Sequence, residues 1–95
     1  MMTLDDIRSQ GQREGRLAAW EWCNEVGQAR IDITVKAWEM GWPLQDDSFP
    51  VPERTDSATV HMLCDLFPDA RERSQTYDDA FRTAVLEVVV AAAER

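Results

Sequence analysis

The stretch that decides the fold is residues 4–40, LDDIRSQGQREGRLAAWEWCNEVGQARIDITVKAWEM. Apolar or small side chains recur at Leu4, Ile7, Gly11, Gly15, Ala18, Trp22, Val26, Ala29, Ile33, Ala37 and Met40, separated only by threes and fours. That is the α-helical period, and it predicts one long helix. Thr3 followed three residues later by Asp6 is a capping-box start, and the acids Asp5 and Asp6 suit a helix N-terminus. At the far end Gly41-Trp42-Pro43 stops the pattern, because glycine accepts the left-handed cap and proline cannot continue a helix.

A competing signal lies inside the same span. Ile31-Asp32-Ile33-Thr34-Val35-Lys36-Ala37 alternates apolar and polar residues and is rich in β-branched ones. The alternative is therefore an α+β fold with a split near Gly27 and a strand at about 30–38. Against it stands the lack of an obvious second strand to satisfy the ladder, unless another copy supplies one.

The long helix is apolar on two sides. Leu17, Trp20, Gly27, Ile31, Val35 and Trp38 fall opposite the first stripe at 100° per residue. A helix apolar all round is normally buried, and so short a chain has little to bury it with. Three covers are open: the loop 42–55 folding back, a second copy, or a foreign protein. Gly11, Gly15, Leu17, Ile31 and Val35 are the candidate self-association residues of a homodimer. Gly11 and Gly15, with Ala18 and Ala19 following, form a small-residue patch that admits close helix approach.

Outward from that stretch, residues 42–55 carry Pro43, Pro50 and Pro52 with Trp42, Leu44, Phe49 and Val51 among them. They predict an ordered loop whose large side chains need cover. A short helix follows from Asp56 or Ser57 to about Phe67, and a last helix capped by Ser74 or Thr76 runs through Tyr77, Phe81, Val85 and Val88. The expected fold is mostly α, a single domain over 1–95, with the long N-terminal helix packed on two shorter C-terminal helices.

Composition limits function. The chain has 95 residues, 18 acidic and 10 basic, for a net charge of −8. Such a surface repels nucleic acid and anionic bilayers. No run approaches the roughly 20 apolar residues of a membrane span, and the N-terminus lacks the basic and apolar segments of a secretory signal. Cys23 and Cys64 are too few for a disulfide framework, which with the missing signal points to reduced thiols in the cytoplasm.

Chemistry is sparse. His61, Cys64 and Asp65 would neighbour one another on a helix, but adjacent helical positions are poor triad geometry and no oxyanion loop accompanies them. One His and two Cys do not fill a structural zinc site, and no phosphate loop, dinucleotide fingerprint or metalloprotease motif occurs. No enzyme, metal or cofactor is expected. Asp5-Asp6 and Asp78-Asp79 read as helix-start acids. Residues 42–95 hold eleven acids against five arginines, residues 1–41 seven against five basic residues. The acidity therefore concentrates in the C-terminal half, which would suit a basic protein groove.

The resulting expectation is a non-enzymatic protein-interaction module that occupies a surface on a partner. Trp20, Trp38 and Trp42 would be its aromatic anchors, and Asp46, Asp47, Asp69 and Glu72 its steering charges. Short, acidic, Trp-containing chains of this profile resemble stoichiometric inhibitors such as anti-CRISPR proteins, immunity proteins and antitoxins, an analogy of physical profile and not of motif. The alternative is an adaptor subunit in which the helix serves assembly and the acids serve solubility.

Overall fold

The computed structural model describes residues 3–44, 48, 50–53 and 68–94. They form three helices and no strand: α1 (Leu4–Val26), α2 (Gln28–Glu39) and α3 (Ala70–Ala93). The mostly-α reading holds, and the α+β alternative is corrected. Residues 30–38 are helical because Ile31, Thr34 and Val35, spaced for one helical face, are all buried, and the Thr34 hydroxyl donates to the Arg30 carbonyl one turn back at 2.7 Å. β-branched side chains are tolerated in a helix when tertiary packing rewards them.

α1 starts as its sequence dictates. The Thr3 hydroxyl accepts from the Asp6 amide at 3.2 Å, and the Asp6 carboxylate accepts from the Thr3 amide at 2.9 Å, which completes a capping box. Those hydrogen bonds, the backbone one foremost, hold the Asp6 carboxyl below its ordinary value. α1 ends at Gly27, with φ 84° and ψ 167°, torsions reserved for glycine. The single long helix is thus two helices meeting at one residue.

That break resolves the problem of two apolar faces. In α1 the first stripe faces inward, with Ile7, Gly11 and Gly15 buried and Ala18, Trp22 and Val26 at the edge, while Ala19 beside it is buried as well. In α2 most of the burial passes to the opposite stripe, through Ile31, Val35 and, at the edge, Trp38, with Thr34 beside them and Ala37 the one buried member of the first stripe there. Ile33 and Met40, which continue the first stripe by count, are exposed. The bend exchanges which face looks inward.

α1 and α3 are the main pair, and they run parallel. A Cβ built on Gly11 would lie 2.7 Å from the Tyr77 carbonyl oxygen, and one on Gly15 2.6 Å from that of Phe81, so both helices advance together by one turn. Ala80 and Ala84 face the same glycines. The close approach expected between two copies is made here inside one chain. The core between the helices comprises Ile7, Ala19, Ile31, Val35, Tyr77, Phe81, Val85, Val89 and Ala92, with Val51 of the loop added. The Tyr77 hydroxyl donates to the Glu14 carboxylate, whose other oxygen accepts from Gln10 at 3.2 Å, so the phenol in this core is satisfied.

α3 departs from expectation in length and start. At 24 residues it matches the 23 of α1, and it begins at Ala70 with Asp69 as N-cap, running straight through Ser74 and Thr76. Asp78 and Asp79 are consequently mid-helix, and the first-turn acid is Glu72. The helix expected near 57–67 lies outside the described residues.

Candidate partner-binding surface

The aromatic anchors separate into three environments. Trp20 stands outward on α1 at 55% exposure, one turn from Leu17 at 61%. The two are three residues apart, hence neighbours on a helix surface. They form the outer face of α1 because Gly11, Gly15 and Ala19 take the inner one. Trp38 is half-buried at the edge of the core, with its indole nitrogen enclosed and without an acceptor among the described residues. Trp42, past the end of α2, is 43% exposed, its amide donating to the Ala37 carbonyl at 3.1 Å.

Beside Trp20 a small cleft opens between α1 and α3, lined by Trp20, Cys23, Asn24, Val88 and Ala92. Its volume of about 40 Å³ is far below the several hundred Å³ of a typical small-molecule pocket. It has room for no more than the tip of one side chain. Two wider furrows follow the helix junctions. One is lined by Arg8, Gln12, Thr76, Asp79, Ala80 and Thr83, the other by residues of α2 and the end of α3 including Asp32, Lys36, Glu39 and Glu94.

Of the steering charges, the two among the described residues, Asp69 and Glu72, do not lie beside Trp20. Glu72 is exposed in the first turn of α3. Asp69, at the N-cap, accepts from the buried Arg73 Nε at 2.7 Å, so its carboxylate is already engaged in holding that guanidinium. In the parallel register both lie level with the start of α1. At 1.5 Å per residue, Trp20 is roughly 20 Å further along. Asp46 and Asp47 lie outside the described residues, as do His61, Cys64 and Asp65. Among the described residues no three His, Cys, Asp or Glu side chains come close enough to hold a metal ion. No helix among them is long and apolar enough to cross a membrane.

The self-association residues divide as well. Gly11, Gly15, Ile31 and Val35 are buried within the chain, and Leu17 alone of that set faces outward. The loop 42–55 covers the molecule in part: Val51 enters the core, and Arg30 Nη2 donates to the Ser48 carbonyl at 2.8 Å. Residue counting missed Ile33 and Met40, the latter 73% exposed. The signal that could have found them is Gly27, where a change of helix phase is cheapest. The chain matches no known protein family, curated protein or solved structure.

Proposed function

We propose that the protein is a non-enzymatic interaction module that acts by stoichiometric binding and occlusion of a partner protein, in the manner of small inhibitors and immunity proteins. The observation that supports this reading is the Leu17–Trp20 pair. Two large apolar side chains, both more than half exposed, stand one turn apart, and Trp20 also lines a cleft sized for one inserted side chain. Tryptophan in such a position is the side chain most enriched at binding hot spots. The partner has a basic surface, drawn by the net charge of −8, and the Glu72 end of the molecule steers it. The setting is the cytoplasm, where Cys23 and Cys64 stay reduced. Nucleic acid and membrane are not direct ligands.

The test is affinity capture from the native cell with the wild-type chain and with a Leu17→Ser/Trp20→Ala variant of unchanged helicity. The wild type should retain a partner in equimolar amount, with retention falling as salt rises, and the variant should lose it. Equal retention by both chains removes Leu17 and Trp20 from the interface and sinks the proposal.

A further inference from the structure

The furrow between α2 and the last turns of α3 encloses about 270 Å³. Its floor is apolar: Val35 is buried, Val90 and Ala93 are partly so, and all three belong to or pack against the core. Its rim is charged and exposed. Asp32 and Glu39 stand seven residues apart on α2, two turns along one side of that helix, and Glu94 borders the furrow from the α3 side. Against these three carboxylates the rim holds one ammonium, that of Lys36. Among the described residues no ion pair engages any of the four, and Asp32 accepts from the neutral Gln28 amide at 3.0 Å.

That combination narrows the occupant. A metal ion is poorly matched, since among the described residues no three His, Cys, Asp or Glu side chains come close enough to hold one. A second copy of the chain would bring a like charge of −8. A purely apolar segment would strip water from the carboxylates without pairing them. What fits is a cation on an aliphatic stem, whose methylenes lie along Val35, Val90 and Ala93 while its charged head stays among the rim carboxylates. Arginine meets this better than lysine, because its planar fork pairs with a carboxylate through two parallel hydrogen bonds and sheds water more readily than an ammonium.

We propose that the α2–α3 furrow is a docking site for an arginine-bearing, amphipathic segment of a partner protein, with its apolar parts on Val35, Val90 and Ala93 and its guanidinium groups on Asp32, Glu39 and Glu94. The proposal rests on the reading that the partner has a basic surface. It does not rest on Leu17 and Trp20, because the furrow shares no lining residue with the Trp20 cleft. It gives the partner a seat at the end of α3 opposite Glu72.

The test titrates the full chain with two blocked peptides of equal charge, one of three Arg-Leu repeats and one of three Arg-Gly repeats, and reads affinity and amide chemical shifts. The Arg-Leu peptide should bind at least about threefold tighter, because its leucines reach the apolar floor. Its largest shifts should fall on residues 32–39 and 90–94. Glu39→Gln/Glu94→Gln should weaken it at least about fivefold, whereas Asp5→Asn/Asp79→Asn, which removes the same charge two Debye lengths or more away, should change it less than about twofold. Leu17→Ser/Trp20→Ala should leave peptide binding unchanged, so this proposal and the Leu17–Trp20 interface fail separately.

Equal affinity for the two peptides overturns the apolar floor. Equal weakening by the two charge variants reduces the binding to attraction by net charge and overturns the site. Shifts centred on Leu17 and Trp20 move the peptide to the other surface and overturn it as well. If Glu39→Gln/Glu94→Gln does not fold, the position of the shifts in the wild type decides.

Discussion

Gly15 shows how much one missing methyl controls. Glycine inside a helix costs about 1 kcal/mol relative to alanine, so intrinsic propensity favours its replacement. Here the added Cβ would come 2.6 Å from the Phe81 carbonyl oxygen and 3.0 Å from the Ala84 Cβ, both on α3, and neither belongs to a flexible side chain that can swing away. The helices would have to separate. Gly15→Ala is expected to destabilise the fold by about 1–3 kcal/mol, because overpacking outweighs propensity. Urea unfolding with an unchanged slope and a lower midpoint would check it; a gain in stability would show that α3 yields. Asp69 is the other instructive residue. It was expected to steer a partner, yet its bond to the buried Arg73 means that its removal would disturb the start of α3. Charge reversal at Glu72 is the cleaner probe of steering.

Among the elements, α1 was legible and α2 only half so. The capping box at Thr3 and Asp6, the buried Ile7–Val26 stripe and the helical stop at Gly41 all lie where periodicity puts them. Past Gly27 the count of threes and fours continued undisturbed while the structure changed phase. Periodicity records spacing and is blind to a single residue that rotates the next helix. The partner of Gly11 and Gly15 was readable in principle, since Ala80 and Ala84 repeat their four-residue spacing. The parallel sense of α1 and α3 was not, because it depends on how the intervening chain returns. The start of α1 also carries a pH dependence. Since the Asp6 carboxyl is held below its ordinary value in the folded chain, its contribution is complete above the unfolded value and is lost as pH falls through the folded one. Acidification should lower the amide protection factors, exchange rates taken relative to the unfolded chain at the same pH, of Asp6 and Ile7 in the wild type. In Asp6→Asn that pH step should vanish; an identical step would place its origin elsewhere.

For the molecule as a whole, Trp20, expected as a partner anchor, and Leu17, expected in self-association, both stand outward, whereas Gly11, Gly15, Ile31 and Val35, also expected in self-association, form the interior. The error has one cause. A sequence shows that a residue is apolar and on which side of its own helix it sits, but the choice of which side is covered belongs to the neighbours. α3 is as long as α1 and covers its full inner face, so a chain that looked too short to bury its long helix needed only to bend it.

The elbow has an electrical side too. Where α2 begins, α1 and the parallel α3 both end, so two carbonyl-bearing helix termini and one amide-bearing terminus share a corner. Each terminus behaves as roughly half an elementary charge, negative for the two ends and positive for the start. Neither α1 nor α3 has a basic residue in its last turn to offset its own end. The start of α2 therefore serves as their counter-charge, reinforced by the Gln28 amide on the Ala92 carbonyl. Electrolyte weakens such an arrangement, with screening over about 10 Å at 0.1 M and 3 Å at 1 M. Raising sodium chloride should loosen α2 from α3 before it affects the α1–α3 pair, read as faster amide exchange at Ile31 and Asp32 than at Val85. Uniform exchange at all three sites would mean that apolar contact alone keeps the elbow closed.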